Sequence, residues 1–110
     1  MPLPAFIDAF PALAVPFPED VVSSRAIRSD QGLVVFFTFH KAMDLPPHSH
    51  GAQWGTVVEG EIVFTIAGET RTYRPGDSYM IPAGASHSAR IAAGTVAIDV
   101  FEEPDRYALR

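Results

Sequence analysis

From Val21 onward, short stretches of alternating apolar and polar residues follow one another along the chain, and helical periodicity is almost absent. β-Branched and aromatic residues are concentrated in these stretches, and turn signals separate them, as is typical of antiparallel strands. The predicted strands are 21–29, 33–42, 53–60, 61–68, 69–76, 77–84, 86–94 and 95–104. Residues 43–47 are predicted to form a loop, and residues 6–13 one short helical turn that Pro11 disrupts. Strands at such close and even spacing predict an all-β sandwich or small barrel.

The chain of 110 residues is expected to be a single domain. A proline-rich arm, residues 1–20, precedes the predicted barrel, residues 21–110. The apolar residues of the arm are expected to cover a sheet edge or a neighbouring subunit. Because short strands leave exposed sheet edges, we also expect self-association, with a homodimer as the simplest form.

Composition narrows the possible functions. Hydrophobic residues make up 47% of the chain and charged residues 19%, so the chain can bury a core. A net charge of −5 argues against nucleic acid as a partner, since phosphates need a basic surface. The absence of cysteine excludes disulfides and thiolate metal sites and fits a reducing, cytoplasmic compartment. The sequence shows neither a basic, unbroken signal segment nor an apolar run of about 18 residues, so no membrane association is expected.

The chain has only four histidines, and two of them, His48 and His50, are separated by one residue. On a strand, side chains at positions i and i+2 point to the same face, so both imidazoles can approach one cation. The amide oxygen of Gln53 and a third imidazole, His87, could complete the set. The alternative interpretation is that they are ordinary surface or hydrogen-bonded histidines. We assign His40, next to Lys41 at a strand end, to that class.

The spacing of these residues resembles the first motif of small single-domain cupins. That motif runs Gly, five residues, His-x-His, three or four residues, Glu, six residues, Gly. The chain has His48, His50, Gln53 and then, six residues later, Gly60. It departs from the motif in three ways: the leading glycine is missing, the gap after His50 is one residue short, and Gln53 replaces the usual glutamate.

A second cupin motif runs Gly, five residues, Pro-x-Gly, two residues, His, three residues, Asn. The chain has Gly76, Pro82, Gly84 and His87 at these spacings, with Ile91 in place of the asparagine. The resemblance covers roughly residues 21–103. It implies a cupin double-stranded β-helix, that is, a jelly-roll barrel. It also implies a divalent transition metal (Zn, Ni, Fe or Mn) whose ligands are His48, His50, Gln53 and His87.

A glutamine in place of glutamate changes the charge of such a site. The neutral amide leaves the charge of a divalent cation nearly uncompensated. The metal should therefore be a stronger Lewis acid and should favour a small anionic ligand.

The positions around Gln53 fit a barrel wall. If Gln53 points inward, Gly55 does so too and would leave space beside the metal, whereas Trp54 would lie on the outer face. Four further residues are expected to be core or pocket wall: Phe36, Phe64, Tyr79 and Ile81.

The last long strand carries an aspartate between two apolar residues. Asp99 and Phe101 share one face of this strand. Because a buried carboxylate needs a partner, Asp99 should lie near the metal, near an arginine, or at the rim bonded to backbone. The segment from 48 to 106 resembles cupins that open the rings of unsaturated uronate sugars. That resemblance implies catalytic roles for Asp99, Phe101 and Arg106, although Arg106 is seven residues beyond Asp99 where six are expected.

These features together predict a Lewis-acid enzyme of the isomerase, tautomerase or ring-opening type. Its ligand would be a small carboxylated or sugar-like molecule. Asp99 would act as general acid or base, and Arg106 would pair with a substrate carboxylate. A metal-dependent dioxygenase and a non-catalytic cupin that binds a small molecule are the alternatives.

Overall fold

The computed structural model describes residues 3–110, which form eleven β-strands and one short 3₁₀ helix, Ala5–Ala9. None of the helical structure described is long and apolar enough to cross a membrane. The strands are β1 (Leu13–Ala14), β2 (Val22–Ser29), β3 (Gly32–Phe39), β4 (Met43–His48), β5 (Gln53–Glu59), β6 (Ile62–Ile66), β7 (Glu69–Tyr73), β8 (Ser78–Ile81), β9 (His87–Ile91), β10 (Thr95–Phe101) and β11 (Ala108–Leu109).

Two antiparallel sheets enclose the core. One has five strands in the order β2-β3-β10-β5-β8, and the other has four in the order β4-β9-β6-β7. Buried side chains from both sheets form one cluster, and the rings of Phe64 and Tyr79 meet across it with centroids 4.6 Å apart. The predicted all-β jelly-roll barrel is thereby confirmed.

Strict alternation along the strands decides which residues enter the barrel. In β3, Leu33, Val35, Phe37 and Phe39 are buried, and the residues between them are half-buried on the other face. In β10 the same period places Ala97, Asp99 and Phe101 inside. A carboxylate therefore faces the core in the middle of the larger sheet.

The prediction of a loop at residues 43–47 is wrong. Residues Met43–His48 form β4, which pairs with β9 at the edge of the four-stranded sheet. Pro46 and Pro47 lack the N–H group that a central strand needs, but an edge strand tolerates prolines where the ladder is irregular. The pairing of β4 with β9 shifts between Leu45 and His48, where the two prolines lie.

The N-terminal arm packs onto the barrel; its first two residues lie outside the described part of the chain. The predicted helical turn appears as the 3₁₀ helix. Leu13 is fully buried in the core, and β1 pairs with β11 near the C-terminus. The ring of Phe10 lies 6.0 Å from that of Phe36. Phe36 is thus on the outer face beneath the arm, and its assignment to core or pocket wall is wrong, because its neighbours in β3 point inward.

Beside the arm, an apolar row crosses the outer face of the five-stranded sheet. Its members lie in register on successive strands, and we call them the outer row: Ile27, Val34, Val100, Trp54 and Met80. The exposed fractions are 49% for Ile27, 44% for Trp54 and 55% for Met80. Trp54 thus lies on the outer face, as its position next to Gln53 predicts.

Replacing Leu13 by alanine should test whether the arm is part of the cooperative core. Leu13 is fully buried, so Leu13→Ala should lower the free energy of unfolding by about 2–5 kcal/mol in urea titrations. Phe6→Ala is the matched control on the same arm, because Phe6 is 69% exposed, and it should cost less than about 1 kcal/mol. Equal stability of Leu13→Ala and the unmodified protein would show that the arm does not contribute to the core.

Candidate metal centre

Three histidines from distant parts of the chain converge at one end of the barrel. His48 ends β4, and His87 begins β9 directly opposite it in the strand register. His50 follows two residues after His48. The centroids of the three rings are 4.1–5.4 Å apart, and one nitrogen from each ring lies within 4.8 Å of the other two. This arrangement could hold one metal ion.

Backbone carbonyls fix the tautomer of each imidazole. The Nδ1 atoms of His48, His50 and His87 lie 2.9, 2.7 and 3.0 Å from the carbonyl oxygens of residues 46, 51 and 85. A carbonyl can only accept, so each Nδ1 carries the proton and each Nε2 keeps its lone pair. Hydrogen bonds of this kind orient histidine ligands in metal sites. Three Nε2 atoms are therefore left as ligands.

The environment of His50 and His87 favours the neutral form of imidazole that ligation requires. Burial lowers the pKa of His50 and of His87 below the ordinary value for histidine. The positive charge of Arg106 and the neighbouring imidazoles act in the same direction. Proton competition for the ligand atoms is therefore weakened at neutral pH.

Gln53, the first residue of β5, lines the same cavity as the three histidines and is buried. Its amide Nε2 donates a hydrogen bond of 2.9 Å to Oδ1 of Asp99. Because the carboxylate needs a donor, the amide nitrogen must face Asp99, and Oε1 is the atom left for a cation. Three imidazole nitrogens and one amide oxygen are a donor set that fits a divalent transition metal.

Asp99 lies behind Gln53 and is only 4% exposed. Its Oδ1 also accepts a hydrogen bond of 2.6 Å from the hydroxyl of Tyr79. Burial raises the pKa of Asp99 to about 6, although the two hydrogen bonds oppose that rise. The alternative of a rim aspartate bonded to backbone is therefore wrong.

Gly55 makes the contact between Asp99 and Tyr79 possible. Asp99 is opposite Gly55 in the pairing of β10 with β5, and Gly55 is opposite Tyr79 in the pairing of β5 with β8. A Cβ at position 55 would collide with both side chains. The expected space at Gly55 is thus filled by the Tyr79–Asp99 hydrogen bond. Tyr79, expected to be plain core or wall, is a polar partner of the site that the pattern of a single strand does not reveal.

Phe101 and Arg106 occupy different places at the site. Phe101 lines the cavity, with its ring centroid 5.7 Å from that of His50. Arg106 lies beyond β10 with its guanidinium carbon 4.4 Å from the centroid of the Tyr107 ring, and Tyr107 rather than Arg106 lines the cavity. The Nε atom of Arg106 is buried and has no hydrogen-bond partner among residues 3–110. The structure therefore brings the four predicted ligands together with Asp99 and Phe101, and it places Arg106 next to them.

The cavity at this site has a volume of about 50 Å³. Pockets for drug-sized ligands commonly measure about 300–1,000 Å³, and a water molecule occupies about 30 Å³ in the liquid. The space suits an ion together with one or two small polar groups. Its remaining lining is largely aromatic and aliphatic, and it includes Phe37, Phe39 and Phe64.

Comparisons with known proteins identify the family of the domain and agree with the fold. The family model described as "Cupin domain" matches residues 35–101. The solved structure of KdgF from Halomonas sp. is 26% identical with a TM-score of 0.72, and the match covers 82% of this chain and 84% of that one. An RmlC-like cupin from Shewanella frigidimarina is 23% identical with a TM-score of 0.77, covering 96% and 94%. A structure of oxalate decarboxylase from Bacillus subtilis, studied for its Mn(II) centres, is 21% identical with a TM-score of 0.64, covering 76% of this chain and 26% of that one. The search of curated proteins found no match.

The raised pKa of Asp99 should make stability depend on pH. The folded-state pKa is about 6 and the unfolded value 3.8, so the folded protein binds the proton more tightly. This contribution stabilises the protein below about pH 4 and is lost as pH rises to about 6, a change of about 3 kcal/mol.

Urea unfolding of the metal-free protein and of Asp99→Asn, at steps from pH 3.5 to 7.5, measures that change. The free energy of unfolding of the unmodified protein should fall relative to the variant across this interval and then level off, while the histidines cancel in the difference. A difference that is independent of pH would contradict the assignment.

Proposed function

The chain belongs to the cupin family, and we propose that it is a metal-dependent enzyme acting on a small carboxylated or sugar-like molecule. The metal would be a divalent transition ion (Zn, Ni, Fe or Mn) held by His48, His50, His87 and Gln53. The reaction would be an isomerisation, a tautomerisation or a ring opening, none of which changes the oxidation state of the metal.

One observation supports this proposal above the others. Three imidazoles with carbonyl-fixed Nδ1 protons face one point, and a buried carboxyl group whose pKa is about 6 lies one side chain away, behind Gln53. This carboxyl group lines the cavity within reach of a ligand at the ion, and burial raises its pKa. An acid–base catalyst needs such a group, because the best catalytic pKa lies near the working pH.

The bound ion, Asp99 and Phe101 would have different roles in the reaction. A bound ion would supply Lewis-acid polarisation of a substrate oxygen. Asp99 would hold or deliver the proton, with Tyr79 and Gln53 both bonded to its Oδ1, which leaves Oδ2 as the oxygen for proton transfer. Phe101, buried in the wall, would keep water from the reacting centre.

The charge and size of the site favour an anionic group as the part of the ligand that enters. The four proposed ligands are neutral, and the positive charge of Arg106 acts on both His50 and His87. The cavity measures only about 50 Å³, so the part of the ligand that enters it would be a carboxylate or a hydroxyl–carbonyl pair. The ring of a uronate would therefore stay at the mouth while its polar end reaches the metal. The resemblance of residues 48–106 to cupins that open unsaturated uronate rings makes these sugars the first substrates to test.

Elemental analysis of protein purified without added metal should find about one transition ion per chain. Replacing His48, His50 and His87 together by alanine should abolish metal binding. His40→Ala is the matched control, because His40 is the remaining histidine and is exposed. Asp99→Asn should keep the metal but lower the turnover of unsaturated uronates about 10²–10⁴-fold. The assay for turnover is the decrease in the absorbance of the 4,5-double bond.

Other results would point elsewhere. Full metal loading of the triple alanine variant would refute the metal site. Iron with oxygen uptake on a diketone or catechol would favour a dioxygenase. Tight binding of a small anion, unchanged in Asp99→Asn and without turnover in either protein, would favour a binding module.

We also propose that the chain forms a homodimer through the outer row. The row is centred on Val100 in the middle strand of the sheet, so a two-fold axis there would lay two copies of the row against each other. Four of the five members of the row are exposed and Val34 is half-buried, and a contiguous apolar surface of this kind marks a contact site.

Sedimentation velocity should detect a dimer at micromolar concentration, and Met80→Lys should shift it to monomer because a buried, unpaired charge is costly. Thr72→Lys, on an exposed position of the smaller sheet, is the control and should remain dimeric. A monomer for the unmodified protein would contradict the proposal.

A further inference from the structure

The loop between β4 and β5, which carries His50, is held by distant segments at three consecutive residues. The carbonyl of His50 accepts a hydrogen bond of 2.9 Å from the N–H of Gly84. The N–H of Gly51 donates to Oε1 of Glu103 at 2.6 Å. The carbonyl of Ala52 accepts from the N–H of Glu102 at 3.0 Å. Of these contacts, only the one to Glu103 involves a side chain.

Glu103 is connected to a metal-ligand candidate through one residue. Its carboxylate binds the N–H of Gly51, and the carbonyl of Gly51 accepts the Nδ1–H of His50 at 2.7 Å. The backbone of Glu103 also accepts a hydrogen bond of 3.2 Å from the N–H of Arg106. One residue therefore joins the loop of His50 to the segment of Arg106.

The charge of Glu103 acts on the same ring. The carboxylate of Glu103 is bonded to the residue that bonds the ring of His50, so its negative charge lies close to the point where that ring would bind a cation. Opposite charges this close attract each other. Since the four proposed ligands are neutral, a carboxylate just outside them would help to balance a divalent ion.

We propose that Glu103 is a positioning residue that orients His50 through Gly51 and thereby sets the affinity of the site for its metal; this inference rests on the proposed metal function. Gly51 is part of the same device. A Cβ at this position would lie 2.8 Å from Cγ and 2.9 Å from Oε1 of Glu103, so a larger residue would displace the carboxylate from its present place.

Affinity for Zn²⁺ measured by chelator competition tests the proposal without any substrate. Glu103→Ala should raise the dissociation constant about 10-fold or more, as is typical when a partner of a metal ligand is removed. Glu103→Gln keeps an acceptor oxygen but loses the charge. Its dissociation constant for Zn²⁺ should therefore lie between those of the unmodified protein and Glu103→Ala. Glu102→Ala is the matched control, because Glu102 is bonded to the loop through its backbone N–H, which the substitution keeps. Its dissociation constant for Zn²⁺ should lie within about twofold of that of the unmodified protein.

Two further measurements separate positioning from general destabilisation. The visible spectrum of bound Co²⁺ should change in Glu103→Ala and not in Glu102→Ala, because it reports the geometry of the ligands. Gly51→Ala should weaken Zn²⁺ binding in the unmodified protein by displacing the carboxylate. In the Glu103→Ala background the added methyl group meets no carboxylate and should have little further effect.

The outcomes distinguish this inference from the proposed function. If the unmodified protein binds no transition metal, the proposed function fails and the inference fails with it. If it binds Zn²⁺ and Glu103→Ala binds equally well, the inference alone is overturned. Equal effects of Gly51→Ala in both backgrounds would also overturn it. Should Glu103→Ala fail to fold, the Zn²⁺ affinity of Glu103→Gln decides the question, and an affinity equal to that of the unmodified protein overturns the inference.

Discussion

The antiparallel pairing of β10 with β5, and of β5 with β8, puts Asp99, Gly55 and Tyr79 side by side on three neighbouring strands. The missing side chain at Gly55 lets the tyrosine hydroxyl reach across the middle strand to the carboxyl group. Because side chains alternate with period two, a slip of one residue in β10 would turn Asp99 outward and bring Val100 inside. The polar centre of the barrel therefore depends on one strand register, which the burial of Ala97 and Phe101 on the same face as Asp99 also favours.

The distribution of charge around the three histidines follows from the same register. A neutral glutamine takes the place where the cupin motif has a carboxylate ligand, and its amide donates to the buried Asp99. Glu103 makes the comparable contact one residue from His50. The carboxyl groups of Asp99 and Glu103 thus lie just outside the candidate ligands. A cation held this way would keep strong Lewis acidity, since no anionic ligand donates directly to it, while the nearby negative charges lower the cost of desolvating the ion.

Local patterns in the sequence predict much of this arrangement. Alternation and turn residues give the strands from β5 to β10 to within a few residues. The i, i+2 spacing correctly predicts that His48 and His50 meet, but not because they share a strand face, since β4 ends at His48 and His50 reaches the site from the loop that follows. The motif around Gly84 supplies the third imidazole. Strand β4 escapes prediction because its two prolines suggest a loop, and only an edge position with an irregular ladder accommodates them. Phe36 lies on the outer face and is covered by Phe10. Its partial burial could not be predicted from β3 alone, because it depends on the position of the N-terminal arm.

The polar partners of the site were harder to predict for a different reason. Tyr79 is bonded to a residue 20 positions away and Glu103 to a backbone group 52 positions away, so neither contact produces a local pattern. The same alternation that hides these contacts gives the larger sheet two different faces. Trp54 and Val100 on the outside are sequence neighbours of Gln53, Gly55, Asp99 and Phe101 on the inside. Any partner that covers the outer row would contact β5 and β10, the two strands that carry Gln53 and Asp99 on their inner face. The apolar outer face and the polar interior are therefore two consequences of one strand pairing, that of β5 with β10.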